Sequence, residues 1–272
     1  MRCFLEFRWE HSCPNGKEFM EKYFAITKNR LNVFCKLYCN EGAGLEKAVL
    51  FGHGFAGHKD NGAAKKFADR VMRKFKGISV ITFDLPCHGD DVRKKLVLQD
   101  CMIYTDLVLD YIKTELHVDE IYSYATSFGG YLVLKYIAEN DDPFRKIALR
   151  CPAVNMADVL TQSIMKNDEL ERLLRGKNVQ VGFDRKVEVN RQFLSDLETS
   201  DIQKNDYTGL ANDILILHGT KDEVVSFDAV QHFADNNLIE FIPVENADHR
   251  FQNPAYMELA TQKVIEFFGF EA

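Results

Sequence analysis

Three residues, one near the middle of the chain and two toward its end, carry side chains suited to nucleophilic chemistry: Ser127, Asp222 and His249. A serine hydroxyl attacks a carbonyl carbon well only when an adjacent base removes its proton. An imidazole serves best as that base when a carboxylate fixes its tautomer. Ser127 lies in Ala125-Thr126-Ser127-Phe128-Gly129-Gly130, directly after the apolar run Ile121–Ala125. Small-x-Ser-x-Gly between a strand and a helix is the layout of a nucleophile elbow, a tight turn that lifts the hydroxyl clear of the sheet. The residues two before and two after must be small because strand and helix crowd there. Ala125 adds one methyl where glycine is usual. The competing reading is an N-cap, since serine before a helix is common.

The acid and the base are placed by the same logic. Asp222 follows the apolar run Ile214–Leu217 in His218-Gly219-Thr220-Lys221-Asp222-Glu223, with Glu223 as the alternative acid and a plain surface turn as the alternative reading. His249 follows Ile239–Val244 in Glu245-Asn246-Ala247-Asp248-His249-Arg250-Phe251. A lone histidine is more often structural, but here three residues follow three apolar runs, and the set is worth more than its members.

Two other patterns compete. Gly52-His53-Gly54-Phe55-Ala56-Gly57 fits G-x-G-x-x-G, with Asp84 ending the next strand where a ribose-binding acid would sit. That reading leaves Ser127, Asp222 and His249 without a role. It also sets His53 where a pyrophosphate needs close backbone approach, so no nucleotide cofactor is expected. Asp84-Leu85-Pro86-Cys87-His88-Gly89-Asp90-Asp91 is rich in carboxylates but lacks regular ligand spacing. It is expected to be a structural loop near the mouth of the site, with no metal. Cys87 is expected to be an inert, partly buried thiol. His53, His58, His88 and His218 are assigned structural or hydrogen-bonding roles.

The elements that must position these residues follow from periodicity. Phe24–Thr27 and Leu31–Tyr38 read as strands joined by a turn at Lys28-Asn29-Arg30, and Glu41-Gly42-Ala43-Gly44 as another turn. Ala48–Phe51, Ile78–Phe83, Ile121–Ala125, Ile147–Leu149, Ile214–Leu217 and Ile239–Val244 read as short buried strands. Between them, apolar residues recur at helical spacing: Ala64 to Phe75, Cys101 to Leu116, Tyr131 to Ala138, Ala229 to Ala234 and Met257 to Phe267. Strands alternating with amphipathic helices predict an α/β fold, a mostly parallel sheet with helices on both faces. Ligands then bind at the carboxyl ends of the strands. The alternation pauses from Pro152 to Leu210, a more polar stretch with one helical run at Val159–Leu174, a hairpin at Val179–Val189 turning at Gly182-Phe183-Asp184-Arg185, and a helix at Arg191–Leu197. The expected organisation is a core of residues 1–151 and 211–272 with an insertion at 152–210. Val154, Met156, Leu160, Ile164 and Met165 either line an apolar pocket or dock this insertion on the core, and docking is slightly favoured.

Composition narrows the classes. At 272 residues, 46% hydrophobic and 28% charged, the chain is long enough for a substantial core, and no apolar run approaches the length of a membrane span. A net charge of −7 argues against a nucleic-acid surface, and Lys65, Lys66, Arg70, Arg73 and Lys74 read as a solvated helix face. Seven cysteines (Cys3, Cys13, Cys35, Cys39, Cys87, Cys101 and Cys151) occur without C-x-x-C, which argues against a disulfide scaffold or a zinc site. Met1–Glu10 carries Arg2, Glu6, Arg8 and Glu10 and lacks the apolar core of a signal peptide. A cytoplasmic location in a reducing compartment is expected.

From Lys47 onward the chain resembles the α/β-hydrolase superfamily, most closely the bacterial serine esterases of the cinnamoyl/feruloyl esterase and monoacylglycerol-lipase-like group. The resemblance rests on His53-Gly54-Phe55-Ala56-Gly57-His58-Lys59, Asp84-Leu85-Pro86 with His88-Gly89, Ser127-Phe128-Gly129-Gly130, His218-Gly219-Thr220-Lys221-Asp222 and Ala247-Asp248-His249-Arg250-Phe251. The order serine, acid, histidine is the order of that superfamily. The resemblance implies an α/β-hydrolase fold with a small lid insertion over the site, which Pro152–Leu210 matches in position. Ala125 and Cys87 depart from the family pattern. It also implies a serine hydrolase that cleaves carboxylic esters of small molecules through an acyl-serine, including aromatic hydroxycinnamoyl or short-to-medium acyl esters, without a cofactor. Ser127, Asp222 and His249 would be the catalytic triad, and the backbone N–H groups of Phe55 and Phe128 the oxyanion hole. A peptidase or thioesterase with the same triad, or a non-catalytic ligand-binding homologue, are the alternatives.

Overall fold

The computed structural model describes residues 7–10, 19–42 and 44–271. Cys3, Cys13, Ala43 and the N-terminal charges Arg2 and Glu6 lie outside the described residues, and of Arg8 and Glu10 only the strand backbone is described. A short strand β1 (Phe7–Glu10) pairs with β2 (Phe19–Lys28), which turns into β3 (Leu31–Asn40). Asn29 and Arg30 both adopt positive φ, +52° and +67°. Two left-handed residues make the tight hairpin turn that matches strand twist.

The chain then alternates: β4 (Lys47–Gly52), α1 (Gly62–Lys74), β5 (Ile78–Phe83), α2 (Leu98–Thr114), β6 (Glu120–Thr126), α3 (Phe128–Glu139) and β7 (Phe144–Arg150). Each element extends the apolar run that announced it by a few residues at most. Asn61 caps α1 by accepting from the N–H groups of Ala63 and Ala64. Lys65, Arg70, Arg73 and Lys74 are exposed and Lys66 is half-buried, as a solvated helix face requires.

The insertion follows. A single turn, α4 (Met156–Asp158), widens into a π-helix over Val159–Ile164 and ends at Met165, whose ψ of 146° is extended. A new helix, α5 (Asn167–Leu174), starts after Lys166, whose N–H is capped by the Glu169 carboxylate at 2.8 Å. The single helical run expected over Val159–Leu174 is therefore broken in two. Val154, Met156, Leu160, Ile164 and Met165 all bury in the same apolar cluster as the core, and their packing overrides a continuous helical period. A two-stranded hairpin, β8 (Val179–Val181) and β9 (Val187–Val189), lies apart from the main sheet, and α6 (Arg191–Thr199) follows. Tyr131 on α3 donates to the Ser200 carbonyl at 2.9 Å, and Tyr207 donates to the Leu134 carbonyl at 3.1 Å, tying the insertion to α3.

The last elements are β10 (Ile214–Gly219), α7 (Phe227–Asn236), β11 (Glu240–Val244) and α8 (Pro254–Phe268). Nine strands form one sheet in the order β1-β2-β3-β5-β4-β6-β7-β10-β11. The first four strands in that order pair antiparallel, and the run from β5 to β11 is parallel. Period-2 alternation feeds two cores: Ala48 and Leu50 of β4 join one cluster with α2, α3 and α7, while Val49 and Phe51 join the other with α1 and α8. Since β4 has β5 on one side and β6 on the other, the order in which strands are laid down reverses at β4. The carboxyl ends of β4 and β6 therefore flank the crevice where such sheets bind ligands.

Candidate active site

Ser127 sits in that crevice with φ +51° and ψ −118°, a strained conformation for a side chain with a Cβ. Three backbone bonds hold it. Its N–H donates to the Arg150 carbonyl at 3.0 Å, and its carbonyl accepts from the N–H groups of Tyr131 and Ala153, both at 3.1 Å. The hydroxyl makes no cap to the helix that follows, so the N-cap reading does not describe it. The crowding is severe. A Cβ on Gly129 would lie 2.7 Å from the backbone of Gly52 and His53, and one on Gly130 would lie 2.9 Å from Pro152. Ala125 fits because its neighbour is Gly52, where a Cβ would come within 3.1 Å of the Ala125 methyl.

The structure brings the three chemistry-bearing residues together. His249 Nε2 lies 3.1 Å from Ser127 Oγ, and His249 Nδ1 lies 2.7 Å from Asp222 Oδ2. With the ring neutral, Nδ1–H donates to the carboxylate and Nε2 accepts from the hydroxyl. The Asp222 side chain is fully buried. Its Oδ1 accepts from the N–H groups of Val224 and Val225 at 2.9 and 2.8 Å. Burial alone pushes this carboxyl up, but hydrogen bonds from His218 and His249 and the charge of His249 hold it well below the usual carboxylate range. Glu223 does not touch the ring; it accepts from the His249 backbone N–H at 3.3 Å.

Sequence reasoning gave His218 a structural role without naming its partner. Its Nε2 lies 3.2 Å from Asp222 Oδ2 and 3.1 Å from the Val225 carbonyl, so one oxygen of the acid serves two histidines. Cys151 Sγ, a His218 ring nitrogen and an Asp222 oxygen lie within 4.8 Å of one another. That is a possible ligand set, but a cation there would compete with His249 for the same carboxylate. Burial and the nearby Asp222 charge keep the Cys151 thiol well above its ordinary value.

Gly54 of the loop after β4 lies against the serine: a Cβ there would come 3.2 Å from Ser127 Cβ. Neither the Phe55 nor the Phe128 N–H donates to another group of the protein among the described residues, and their rings meet edge to face at 5.8 Å. Both donors are thus free. His53 fixes the loop: its Nδ1–H donates to the Gly54 carbonyl at 2.8 Å and its Nε2 accepts from Leu85 N–H at 3.2 Å. His88 lies nearby, its ring tilted and 5.4 Å from that of His53, and donates from Nδ1 to the Pro86 carbonyl. Asp84, the would-be ribose or metal ligand, is occupied internally. It accepts from the Lys59 side chain at 3.0 Å and from the Lys59 and Asp90 N–H groups at 2.7 and 2.9 Å. Cys87 is half-buried, and burial pushes its thiol up to about 12.

The buried histidine pair makes a pH prediction. Burial lowers His53 to about 4 and His88 to about 3 from an ordinary 6.5, the latter also through the neighbouring His53. Both stay neutral in the fold while the unfolded chain takes up protons as the pH drops below about 6.5. Where the unfolded state binds more protons, stability falls with pH. Thermal unfolding is therefore expected to show Tm falling between pH 6.5 and 4, with His88→Gln flattening the slope; equal slopes in both proteins would discount the histidine contribution.

The cleft that contains Ser127 and His249 has a volume of about 390 Å³. Ile164 is the one residue of the five apolar insertion candidates that lines it; the others dock. Arg150, at the carboxyl end of β7, also lines it and was not singled out from sequence. The available signal was an arginine ending the otherwise apolar run Ile147-Ala148-Leu149.

A family model described as the alpha/beta hydrolase fold matches residues 47–177. No curated sequence matches the chain. Among solved structures, Est1E of Butyrivibrio proteoclasticus with bound ferulic acid superposes with a TM-score of 0.72 at 18% identity, covering 90% of this chain and 97% of that one. Mouse alpha/beta hydrolase domain-containing protein 10 gives 0.67 at 14% identity, over 91% and 98% of the two chains. A monoacylglycerol lipase of Paleococcus ferrophilus gives 0.58 at 17% identity, over 87% and 98%. In fold this chain is an α/β hydrolase, similar in structure to Est1E and to the monoacylglycerol lipase.

Proposed function

We propose that the protein is a serine hydrolase that cleaves carboxylic esters of small molecules through an acyl-serine intermediate. The observation that carries this reading is the continuous relay from Ser127 Oγ through His249 to the buried Asp222, with contacts of 3.1 and 2.7 Å. Ser127 Oγ attacks the ester carbonyl while His249 Nε2 takes its proton and then delivers it to the departing alcohol. Asp222 holds the tautomer and stabilises the imidazolium. The N–H groups of Phe55 and Phe128 receive the oxyanion, and removing one such donor typically costs ~3–4 kcal/mol. Water, activated by the same histidine, releases the acid.

Residues 152–210 act as a lid over this site in our reading. Ile164 and the hairpin-tip residues Phe183, Asp184 and Arg185 at the cleft support it. The five cysteines among the described residues are all free and four of them are buried, which fits a reducing cytoplasmic setting. No helix among the described residues is long and apolar enough to cross a membrane.

The test is covalent labelling with a fluorophosphonate, combined with kcat/KM over aryl, short-chain, glyceryl, hydroxycinnamoyl, thioester and aminoacyl substrates. Labelling at Ser127 with ester turnover is expected. Dominant thioester or aminoacyl turnover would move the protein to those classes, and no labelling would make it a binding homologue.

A further inference from the structure

We infer that the substrate carries an anionic group, a carboxylate or a phosphate, and that Arg150 receives it on the α1 side of the cleft. This deepens the esterase reading and rests on it. Arg150 is only 6% exposed, yet it makes no ion pair with any carboxylate among the described residues. Its Nη1 donates to the Arg250 carbonyl at 3.0 Å, its guanidinium lies 5.1 Å over the Phe251 ring, and its Nε is buried with no hydrogen-bond partner. A guanidinium this far out of water is stable only when paired or well hydrogen-bonded. The protein supplies one carbonyl, one ring face and a weak contact from Nη1 to the Met257 sulfur at 3.9 Å. No carboxylate among the described residues completes its pairing, and Arg150 lines the cleft together with Ser127, where an anion would complete it.

The surroundings agree in sign. The start of α1, at Asn61, Gly62 and Ala63, forms the wall on this side, and its first turn holds no acidic residue. A helix N-terminus favours an anion. Arg185 and Arg250 also line the cleft, whereas Asp184 is the one acidic residue doing so and is already paired with Arg250 at 2.8 Å. Among the described residues that line the cleft, three arginines face one aspartate in a protein of net charge −7, with the Asp222 carboxylate engaged by His249 behind them. Focused charge of this kind draws in ligands of the opposite sign.

The experiment compares matched esters in single protein preparations: 4-nitrophenyl butyrate against 4-nitrophenyl hemisuccinate, and monobutyrin against its glycerol 3-phosphate counterpart. Wild type is expected to favour at least one anionic member by roughly ten-fold or more in kcat/KM, through KM, the scale of a charge-assisted hydrogen bond. Which pair responds tells carboxylate from phosphate. Arg150→Gln is expected to erase the ratio and Arg150→Lys to keep most of it. Because the ratio is internal to each preparation, a partly misfolded variant does not disturb it. Equal or lower kcat/KM for both anionic esters in wild type overturns the inference. Calorimetric titration of wild type and Arg150→Gln with monomethyl succinate and methyl phosphate gives a readout that needs no turnover. If no ester is cleaved, the esterase reading fails alone, and anion binding that Arg150→Gln abolishes still supports the subsite. Absence of such binding to wild type overturns it.

Discussion

Replacing Ser127 with alanine is expected to lower ester turnover by roughly 10⁴–10⁶-fold while leaving the protein folded, the range seen when the nucleophile of a serine hydrolase is removed. The hydroxyl is held for chemistry rather than packing. It makes no cap to α3, and the three bonds that fix the turn run through the Ser127 backbone, which alanine retains. Alanine also relieves nothing at φ +51°, since its Cβ sits where serine's does. Circular dichroism and Tm should therefore match wild type, and fluorophosphonate labelling should vanish. Near-normal activity in this variant would discard Ser127 as the nucleophile.

Asp222→Asn is expected to reduce kcat by about 10³–10⁴-fold, because it imposes the wrong tautomer on the histidine. The reason is specific to this site. Oδ1 already accepts from Val224 and Val225, so an asparagine must put its carbonyl there to keep those bonds. Its NH₂ then faces both His249 Nδ1 and His218 Nε2, where two donors had met an acceptor. His249 can accept that amide only by moving its proton to Nε2, which removes the base from Ser127. Glu223→Gln, one residue along, should change turnover by no more than a few-fold, since it meets only the His249 backbone. The reverse ranking would transfer the acid role to Glu223.

Much of the fold was legible because its signals are local. Ile78–Phe83 is buried at all six positions and appears as a mostly apolar run, interrupted only by the small polar Ser79 and Thr82, as a central strand should. The Asn29-Arg30 turn and the small residues around Ser127 answer to backbone geometry, which residue type reports directly. The pairing of β3 with β5 was not legible, because no residue of either strand states which neighbour it will meet. The break at Met165-Lys166 was hidden for a related reason. Leu160 and Ile164 keep helical spacing, and only the core they enter ends the helix. In the candidate site, Ser127, Asp222 and His249 were readable from their positions after strands. Arg150 and the second bond of His218 were not: each is a polar residue on a buried strand, and its significance depends on what lies across the sheet.

The β8–β9 hairpin is anchored unevenly. Val179, Val181, Val187 and Val189 are at most 3% exposed. The bend between them meets the far bank of the cleft through Asp184–Arg250, whose side chains are 83% and 46% exposed, and through Arg250 over Phe183. An ion pair so open to water holds with no more than about 1 kcal/mol and weakens with salt. The strands are therefore rooted more firmly than the bend, and any opening of that bend is expected on the loop timescale of nanoseconds to microseconds. An opening on that timescale outruns a typical enzymatic turnover of ~1–10³ s⁻¹, so shortening the bend is expected to change which esters are accepted more than how fast the best of them turns over.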